Sequence, residues 1–396
     1  MRRIAEYRQV APQGTLDILE RLAARVRGRR LLHVSGGRLG GGPAEVLRAT
    51  VPLLGDLGID TRWEVTGGEP AYHATARALQ AALEGGERVP TEDRLARYLA
   101  TNRVNARKLD LDADLVLAYD VPPASLAEAR VGGRWIWWCH FDCSGAQQGA
   151  WAFFRPLVER FDAAVFSLPQ YAHRLGVPAY LVHPSIDPLS DKNRDLAPRE
   201  MQTVLAALRV PQDKPLLLQV GPFTRGHDPL GVVSAYRVVK KHHDVRLVLA
   251  GAAEDDGDGP GILADLCEAA RQDADIVLLE LPADAHVQLN ALQRAATIVL
   301  QKSVQEGFDL GPAEAMWKGK PVIGGATGGI AQQVLHDVTG YLVRSAEGAA
   351  FRIRELLNNR ERIPRMGAAG REHVRRAFLV TRHLLDSLAL LAHLAP

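Results

Sequence analysis

The chain has 396 residues, 47% of them hydrophobic and 24% charged, and a formal net charge of +2 at pH 7. This length exceeds what one hydrophobic core usually supports, and the near-even charge gives no reason to expect a nucleic-acid or membrane partner. No apolar stretch approaches the roughly 20 residues of a membrane span, and no apolar region of a signal peptide follows the charged N-terminus. With only three scattered cysteines, a reducing, cytoplasmic location is expected.

The first half of the chain alternates apolar strands with helices. Strands are predicted at residues 31–34, 59–65, 115–118, 134–140 and 180–183, and a strand followed by a turn is predicted across 161–169. Helices are predicted at residues 1–28, 46–54, 72–83 and 151–158, with a polar helix and loop across 85–112. The second half repeats this alternation, and such a regular rhythm predicts a parallel sheet.

A glycine-rich loop follows the first strand and leads into a helix whose first turn contains Pro43. Three adjacent glycines, including Gly41 and Gly42, would let the backbone approach a phosphate or a sugar closely. A flexible turn is the alternative interpretation. The glycines do not have the spacing of a dinucleotide fingerprint, and no P-loop motif occurs, which argues against both NAD binding and P-loop nucleotide binding.

The tryptophan-rich strand at 134–140 ends in the string Cys-His-Phe-Asp-Cys, which contains His140 and Asp142. Ligands of open α/β sheets bind at the carboxyl ends of strands, so His140 is a candidate catalytic residue, although a structural histidine remains an open alternative. The spacing of Cys139 and Cys143 is not that of a zinc site. Buried, reduced cysteines and no metal are therefore expected here.

Residues 297–325 form a strand–turn–helix–strand unit with two carboxylates at the turn. Glu306 follows the apolar run 298–300, Glu314 lies in the helix predicted from 312 to 317, and a second strand follows at 321–323. A helix that starts here would aim free N–H groups at an anion or a sugar oxygen. Two glutamates alone would also fit an ordinary solvated loop.

The string E-G-F-x-L-x-x-x-E-A, followed by K-G-K-P-V-I, resembles the donor-site signature of family-4 glycosyltransferases, which are retaining enzymes. The resemblance implies an α/β fold of GT-B architecture, with two Rossmann-like doubly wound domains and an interdomain cleft. It also implies that Glu306 contacts hydroxyls of the donor sugar and that Glu314 holds the nucleotide ribose. The residues expected to complete the donor loop are Gly307, Phe308, Asp309 and Leu310, with Asp309 standing where the family usually has glycine.

Three further strings resemble one group within this family, the trehalose glycosyltransferring synthases. They are H-V-x-x-x-x-x-G-G-G-x-A-E from residue 33, H-x-D from residue 140 and P-S-I-D-P-L-S-D-K-N from residue 184. The group joins a nucleotide-activated glucose to free glucose, and its histidine lies over the donor sugar near the reacting carbon. By this resemblance His140 is catalytic, the Gly41 and Gly42 amides stabilise the leaving phosphate, and the acceptor lies near Gly37, Arg38 and Asp142.

The chain departs from the family in the first loop of the second half. Pro222 occupies the position of the usual arginine that binds the diphosphate, and His227 occupies that of the usual lysine. Arg225 and Lys302 are candidates to supply the missing charge, and Lys302 is favoured because it leads into Glu306. A sugar 1-phosphate donor as in retaining phosphorylases, a cyclitol nucleotide donor, an epimerase and a non-catalytic nucleotide-sugar sensor stay open as alternatives.

The resemblance also shapes the expected domain organisation. The polar, proline-bearing run 187–199 is read as a linker, which gives a domain at 1–195, a second at 196–375 and a last helix at 376–396 that packs back on the first. The reaction is expected to need no metal and no cofactor, only the nucleotide sugar as co-substrate and a sugar acceptor. A homodimer is compatible with the sequence.

Overall fold

The computed structural model describes residues 2–38, 41–86, 88–252 and 259–395. The chain divides into two compact units, Met1–Ser185 with Val380–Pro396, and Ile186–Leu379. Each unit contains one six-stranded parallel sheet with helices, which confirms the expected α/β fold class. Gly40 of the glycine-rich loop lies outside the described residues.

Six parallel strands form the sheet of the first unit. They are β1 (Arg30–Ser35), β2 (Asp60–Val65), β3 (Leu115–Tyr119), β4 (Arg134–Cys139), β5 (Ala163–Phe166) and β6 (Ala179–Leu181). The helices between them are α1 (Thr15–Val26), α2 (Gly41–Asp56), α3 (Pro70–Leu83), α4 (Glu92–Lys108) and α5 (Gln148–Val158), with short 3₁₀ helices at Ile4–Gln9, Ala124–Ala129 and Pro169–Tyr171. The strand order is β2-β1-β3-β4-β5-β6.

The tryptophan-rich strand β4 lies in the middle of this sheet. Trp135 and Trp137 point to one face of the sheet and Trp138 to the other, and all three are almost completely buried. Because helices cover both faces of a parallel sheet, side chains that point to either face are buried. The indole of Trp137 donates to the carbonyl oxygen of Asp120 at 2.9 Å, which fixes the end of β3 beside the end of β4.

The second unit has the same architecture. Its strands are β7 (Leu216–Val220), β8 (Arg246–Gly251), β9 (Ile276–Glu280), β10 (Ile298–Gln301), β11 (Val322–Gly325) and β12 (Gly340–Val343). Its helices are α6 (Pro198–Ala207), α7 (Pro229–Lys240), α8 (Gly259–Gln272), α9 (His286–Ala295), α10 (Gly311–Trp317), α11 (Ile330–Gln333), α12 (Ala346–Asn358) and α13 (Arg362–Ala377). The parallel strand order is β12-β11-β10-β7-β8-β9.

The chain passes between the units earlier than the polar run suggests. Ile186 already belongs to the second unit, where its amide donates to the carbonyl oxygen of Phe378 at 2.8 Å and the residue pairs with Leu379. Residues 187–195 therefore belong to the second unit instead of ending the first one. The last helix, α14 (Val380–Leu394), returns to the first unit and packs against α1.

Each sheet has a point at which the strand order reverses, between β1 and β3 in the first unit and between β7 and β10 in the second. Loops that leave the carboxyl ends of strands diverge at such a point and create a crevice for ligands. The loops after β1, β3 and β4 carry Gly37, Arg38, His140 and Asp142, and the loops after β7 and β10 carry most of the candidate donor residues. The topology thus collects the candidate residues at one edge of each sheet.

Helix α13 supports α10, the helix that leaves the loop after β10. Arg371 lies over the ring of Trp317 at 4.7 Å, and a Cβ at Gly370 would lie 3.1 Å from the Met316 side chain. At Gly367 the backbones approach more closely, because an added Cβ would overlap the carbonyl oxygen of Gly319. Gly319 has φ of 72° and makes the turn after α10.

Gly367→Ala should therefore destabilise the protein by about 1–3 kcal/mol, since the new methyl group must push two backbone segments apart. Thermal or urea unfolding measures the change. Gly261→Ala is the matched control, because Gly261 is also helical but has no neighbouring atom within 4 Å of an added Cβ. The control should leave stability unchanged or raise it by up to about 1 kcal/mol. Equal effects of the two substitutions would contradict the close approach.

Candidate functional site

The loops after β7 and β10 form one rim at the carboxyl edge of the second sheet. This β7/β10 rim comprises residues 221–228 and 302–310. The amide of Val304 donates to the carbonyl oxygen of Gly226 at 2.8 Å, and Gln305 donates to the same oxygen at 3.3 Å. A Cβ at Gly226 would lie 3.2 Å from the Gln305 carbonyl oxygen, so a small residue suits this position. The two loops consequently position each other.

Glu306 is held on this rim by two side chains. Its Oε2 lies 3.3 Å from His227 Nε2 and accepts a hydrogen bond from Ser303 Oγ at 3.2 Å. On the other side of the ring, His227 Nδ1 is 2.8 Å from the Thr224 hydroxyl. If that hydroxyl donates to Nδ1, Nε2 carries a proton directed at Glu306. His227, which replaces the usual lysine, is thus a partner of the Glu306 carboxylate.

The two candidates for the missing positive charge differ in their surroundings. Lys302 is buried and ion-paired with Asp228, whose other oxygen caps α7 by accepting from Gly231 N at 3.1 Å. Its charge is therefore balanced within the rim. Arg225 is exposed and lines a surface cavity of about 450 Å³ together with Asp228 and Asp265.

The expectation of free amides at the start of α10 is wrong. The amide of Gly311 donates to Asp309 Oδ1 at 2.8 Å, and that of Ala313 donates to Gln333 Oε1 at 2.9 Å. Pro312, between them, has no N–H to offer. Asp309 stands where the family usually has glycine, and its carboxylate takes the place that an anion would otherwise occupy at the first turn.

The remaining donor-loop residues serve the shape of the loop. Gly307 accepts a hydrogen bond from the amide of Gly329 at 2.8 Å, and Leu310 is the residue immediately before α10. Phe308 packs beneath Gly329, where a Cβ would lie 2.7 Å from its ring, and its ring centroid is 6.2 Å from that of Phe378. These contacts anchor the loop after β10 within the second unit.

Glu314 lies deeper than Glu306. Its side chain is only 2% exposed, and its Oε1 lies 2.8 Å from Nζ of Lys192, which is 19% exposed. Lys318, one turn further along, is buried and donates to the backbone carbonyl oxygen of Glu314 at 3.2 Å. Sequence reasoning missed Lys192 as a site residue, although it lies in the quoted string P-S-I-D-P-L-S-D-K-N.

In the first unit, the loop after β1 packs against the loop after β3. A Cβ at Gly36 would lie 2.6 Å from Cγ of Pro122, so only glycine suits this approach. The Gly37 carbonyl oxygen accepts from the Ser35 hydroxyl at 3.0 Å. The guanidinium of Arg38 lies 4.9 Å from the ring centroid of Trp63 and donates to the Trp63 carbonyl oxygen at 2.5 Å.

Gly41 and Gly42 begin the helix that follows, α2. The first backbone amides of a helix have no carbonyl partner within it. The two glycines are therefore in the part of α2 that is suited to binding an anion.

Asp120 fixes the backbone position of His140. Its Oδ1 accepts from the His140 amide at 2.7 Å and lies 3.4 Å from His140 Nδ1. Asp120 has φ of 59°, a left-handed conformation that aspartate tolerates better than most residues. The imidazole is stacked with the rings of Tyr119 and Trp138 at centroid distances of 5.7 and 6.3 Å. His140, the residue after β4, is thus held in a defined orientation.

Two buried histidines lie behind this aromatic group. His33 Nδ1 is 2.7 Å from the Tyr119 hydroxyl, and burial lowers the pKa of His33 to about 3. His383, on α14, has its ring centroid 5.6 Å from that of Trp138, and burial lowers its pKa to about 3 as well. Both rings are therefore neutral near pH 7, and Tyr119 can donate its hydroxyl proton to His33.

Glu84 is a second residue that the sequence did not reveal. It follows α3, its Oε1 accepts from Gln80 Nε2 at 3.1 Å, and burial raises its pKa from 4.5 to about 7. The negative charges of Asp120 and Asp142 reinforce this rise, whereas the bond from Gln80 opposes it. The carboxyls of Asp120, Asp142 and Glu84 thus interact near the loop that carries His140. No local pattern marks Glu84, because only the tertiary fold buries it.

The other polar side chains of this loop form hydrogen bonds to backbone groups of the protein. Asp142 Oδ1 accepts from the amide of Ser144 at 2.8 Å. The buried thiols of Cys139 and Cys143 donate to the carbonyl oxygens of Phe141 and Tyr171, and both cysteines are free, as expected. Among the residues that the structure describes, no three His, Cys, Asp or Glu side chains are grouped to hold a metal ion.

Within the same residues, no helix has the length and apolar composition needed to cross a membrane.

Known proteins resemble both halves of this arrangement. Residues 33–173 match the family model of the trehalose synthase N-terminal domain, and residues 201–373 match that of glycosyl transferases group 1. The trehalose synthase of Pyrococcus horikoshii is 37% identical over 98% of this chain and 96% of its own length. That of Rubrobacter xylanophilus is 36% identical over 99% of this chain and 97% of its own length.

Solved structures support the fold. Sucrose-phosphate synthase of Thermosynechococcus elongatus superimposes with a TM-score of 0.72 at 17% identity, covering 92% of this chain and 99% of that one. Anabaena HepE in complex with UDP-glucose gives a TM-score of 0.66 at 15% identity, covering 91% and 98%. These are GT-B glycosyltransferase neighbours, as the sequence led us to expect. With its full-length match to the two trehalose synthases, the chain belongs to the trehalose synthase family of GT-B glycosyltransferases.

Proposed function

We propose that this chain transfers an α-glucosyl unit from a nucleotide-activated sugar to a hydroxyl group of glucose or a related sugar, with retention of configuration. Membership of the trehalose synthase family supports the glucosyl product. The complex of the structural neighbour HepE with UDP-glucose supports a nucleotide-sugar donor. The chain would act without a metal or a further cofactor.

One observation carries the proposal. Both carboxylates of the donor-site string lie at the carboxyl edge of the second sheet, and each faces a cationic or protonatable partner, His227 for Glu306 and Lys192 for Glu314. An ionised carboxylate accepts hydrogen bonds and donates none, so it suits the O–H groups of a sugar or a ribose, which can donate to it. We assign Glu306 to the donor sugar and Glu314 to the ribose.

The proposed reaction breaks the bond between the anomeric carbon and the phosphate oxygen. The acceptor oxygen forms its bond to the same face of that carbon, and the leaving phosphate takes the acceptor's proton. Preorganised donors that face the developing charge lower the barrier to such a step. His140, whose backbone amide is bound by Asp120, would stabilise the positive charge on the sugar through its carbonyl oxygen or its ring.

The leaving phosphate must be held with fewer fixed cations than the family usually provides. Each missing charge-assisted hydrogen bond costs about 1.5–3 kcal/mol. We assign Arg225, whose side chain is exposed, and the amides of Gly41 and Gly42 to the phosphate. A donor with a single phosphate, such as glucose 1-phosphate, needs fewer cations and is the alternative that this loop favours.

The acceptor is assigned to the first unit. Asp142 and the neighbouring carboxyls of Asp120 and Glu84 can accept hydrogen bonds from sugar hydroxyls, and Gly37 and Arg38 belong to the adjoining loop after β1. Carboxylate oxygens accept hydrogen bonds, so they match an acceptor that brings several O–H donors. A polyhydroxylated acceptor fits that requirement.

Product analysis with defined donors tests the function directly. We expect UDP-, ADP- or GDP-glucose plus glucose to give an α-linked, non-reducing disaccharide, with activity unchanged by a chelator. Formation of the disaccharide from glucose 1-phosphate and glucose, without any nucleotide sugar, would favour the phosphorylase alternative. Thermal stabilisation by nucleotide sugars without any product would indicate a sensor, and no response to any donor would contradict the proposal.

Glu306→Gln should lower kcat/KM for the donor roughly 10- to 150-fold while the fold persists, because it removes charge-assisted hydrogen bonds worth about 1.5–3 kcal/mol. Steady-state kinetics and a melting curve measure the two effects. Glu361→Gln serves as the control, since Glu361 is an exposed glutamate of the same unit that precedes α13. Near-normal turnover in Glu306→Gln would refute the assignment.

The raised pKa of Glu84 predicts that the stability of the protein depends on pH. Its folded pKa of about 7 exceeds the unfolded value of 4.5, so its contribution is complete below pH 4.5 and is lost as the pH rises through 7. Glu84→Gln should therefore gain about 1–3 kcal/mol relative to the wild type between pH 5 and pH 8. Urea unfolding at both pH values measures this gain, with Glu69→Gln as control, because Glu69 is exposed and immediately precedes the helix that Glu84 follows. A pH-independent difference would contradict the burial of a titrating carboxyl.

A further inference from the structure

Residues 187–195, the first part of the run 187–199 that was expected to be a linker, are bound to helix α9 and to the turn after α10. Asn290 on α9 donates to the carbonyl oxygens of Asp191 and Arg194 at 2.9 and 2.8 Å. Arg294, one turn later, donates to the carbonyl oxygens of Asn193 and Arg194 at 3.2 and 3.0 Å. Backbone carbonyl groups on both sides of Lys192 are therefore bound by side chains of one helix.

A third anchor comes from the turn after α10. The ammonium of buried Lys318 donates to Asn193 Oδ1 and to Gln293 Oε1, both at 2.7 Å. With its bond to the carbonyl oxygen of Glu314, this lysine connects the 187–195 run, α9 and α10. The backbone on which Lys192 sits is consequently held relative to Glu314.

The side chain of Lys192 completes this arrangement. Its ammonium lies 2.8 Å from a carboxylate that is 2% exposed, and a buried charge is costly unless it is paired. The neighbourhood is rich in cations: burial lowers the pKa of Lys318, the Glu314 carboxylate opposes that change, and Arg294 and Lys192 reinforce it. Lys192 is thus in direct contact with the Glu314 carboxylate, and Lys318 is close enough to interact with it electrostatically.

We propose that Lys192 is a positioning residue for the nucleotide half of the donor, which holds the Glu314 carboxylate in the orientation that accepts the ribose hydroxyls. The inference rests on the proposed function, because the assignment of Glu314 to the ribose belongs to it. A carboxylate held on one oxygen by a fixed ammonium loses rotamer freedom before the ligand arrives. Preorganisation of this kind lowers the cost of binding.

The consequence is selectivity for ribose over deoxyribose. Without Lys192, Glu314 would have to be ordered by the nucleotide itself, so the ribose hydroxyls would contribute less to affinity. A sugar 1-phosphate has no ribose and would not respond to Lys192. The effect on the donor should appear in KM, because a contact to the ribose is equally present in the ground state and the transition state.

The test compares Lys192→Gln with Lys192→Arg, and with the control Lys241→Gln, which removes an exposed lysine following α7. Calorimetric titrations use ADP, UDP and GDP and their 2′-deoxy forms. For the best ligand we expect the ribose-to-deoxyribose affinity ratio to fall roughly tenfold in Lys192→Gln, the size of one charge-assisted hydrogen bond. Lys192→Arg should recover most of the ratio, and Lys241→Gln should equal the wild type.

Steady-state kinetics add a second readout, in which the donor KM rises and kcat stays within about twofold. A ratio in Lys192→Gln equal to that of the wild type, or an equal fall in ribose and deoxyribose affinity, would overturn the inference while leaving the proposed function intact. If Lys192→Gln does not fold, Lys192→Met takes its place, because it keeps the side-chain length without the charge. Failure of the wild-type protein to bind any of the nucleotides would instead overturn the proposed function, and the inference with it.

Discussion

The Glu314 carboxylate is nearly inaccessible to water, and the structure around it meets the requirement that a buried charge be paired. Lys192 supplies the counter-charge, and its backbone is held by Asn290 and Arg294 on α9. Lys318 bonds the same run to the turn after α10. These bonds attach the run after Ile186 to the second unit. They keep Lys192 beside the buried Glu314 carboxylate, which would destabilise the fold if it lost its partner.

Side chains of the β7/β10 rim are paired with one another. His227 Nε2 lies 3.3 Å from Glu306 Oε2, and Lys302 is ion-paired with Asp228. Asp309 accepts a hydrogen bond from the amide of Gly311, the first residue of α10. Several charges of the rim are thus paired with one another, and Arg225 of the same rim is exposed.

The first unit orients its candidate catalytic histidine by different means. The Asp120 carboxylate binds the backbone of His140, and the ring is stacked on Tyr119 and Trp138. Behind them, the neutral His33 is a hydrogen-bond partner of Tyr119. The tryptophan-rich strand β4 therefore does more than fill the core, since one of its indoles stacks on the histidine that follows the strand. This rigidity suits a group that must face a developing charge without reorganising.

The sequence by itself determined the two-sheet α/β architecture and the family, because strand–helix alternation and strings such as that from Glu306 to Glu314 are local patterns. It also indicated that His140 and Glu306 end strands, since the carboxyl edge of a parallel sheet follows from strand direction. The tertiary structure alone decided which charges meet. Two ion pairs join residues far apart in the chain, Lys192 with Glu314 and Lys302 with Asp228. The interaction of Glu84 with its acidic neighbours depends on burial. Burial and long-range pairing arise from packing, which no local pattern encodes.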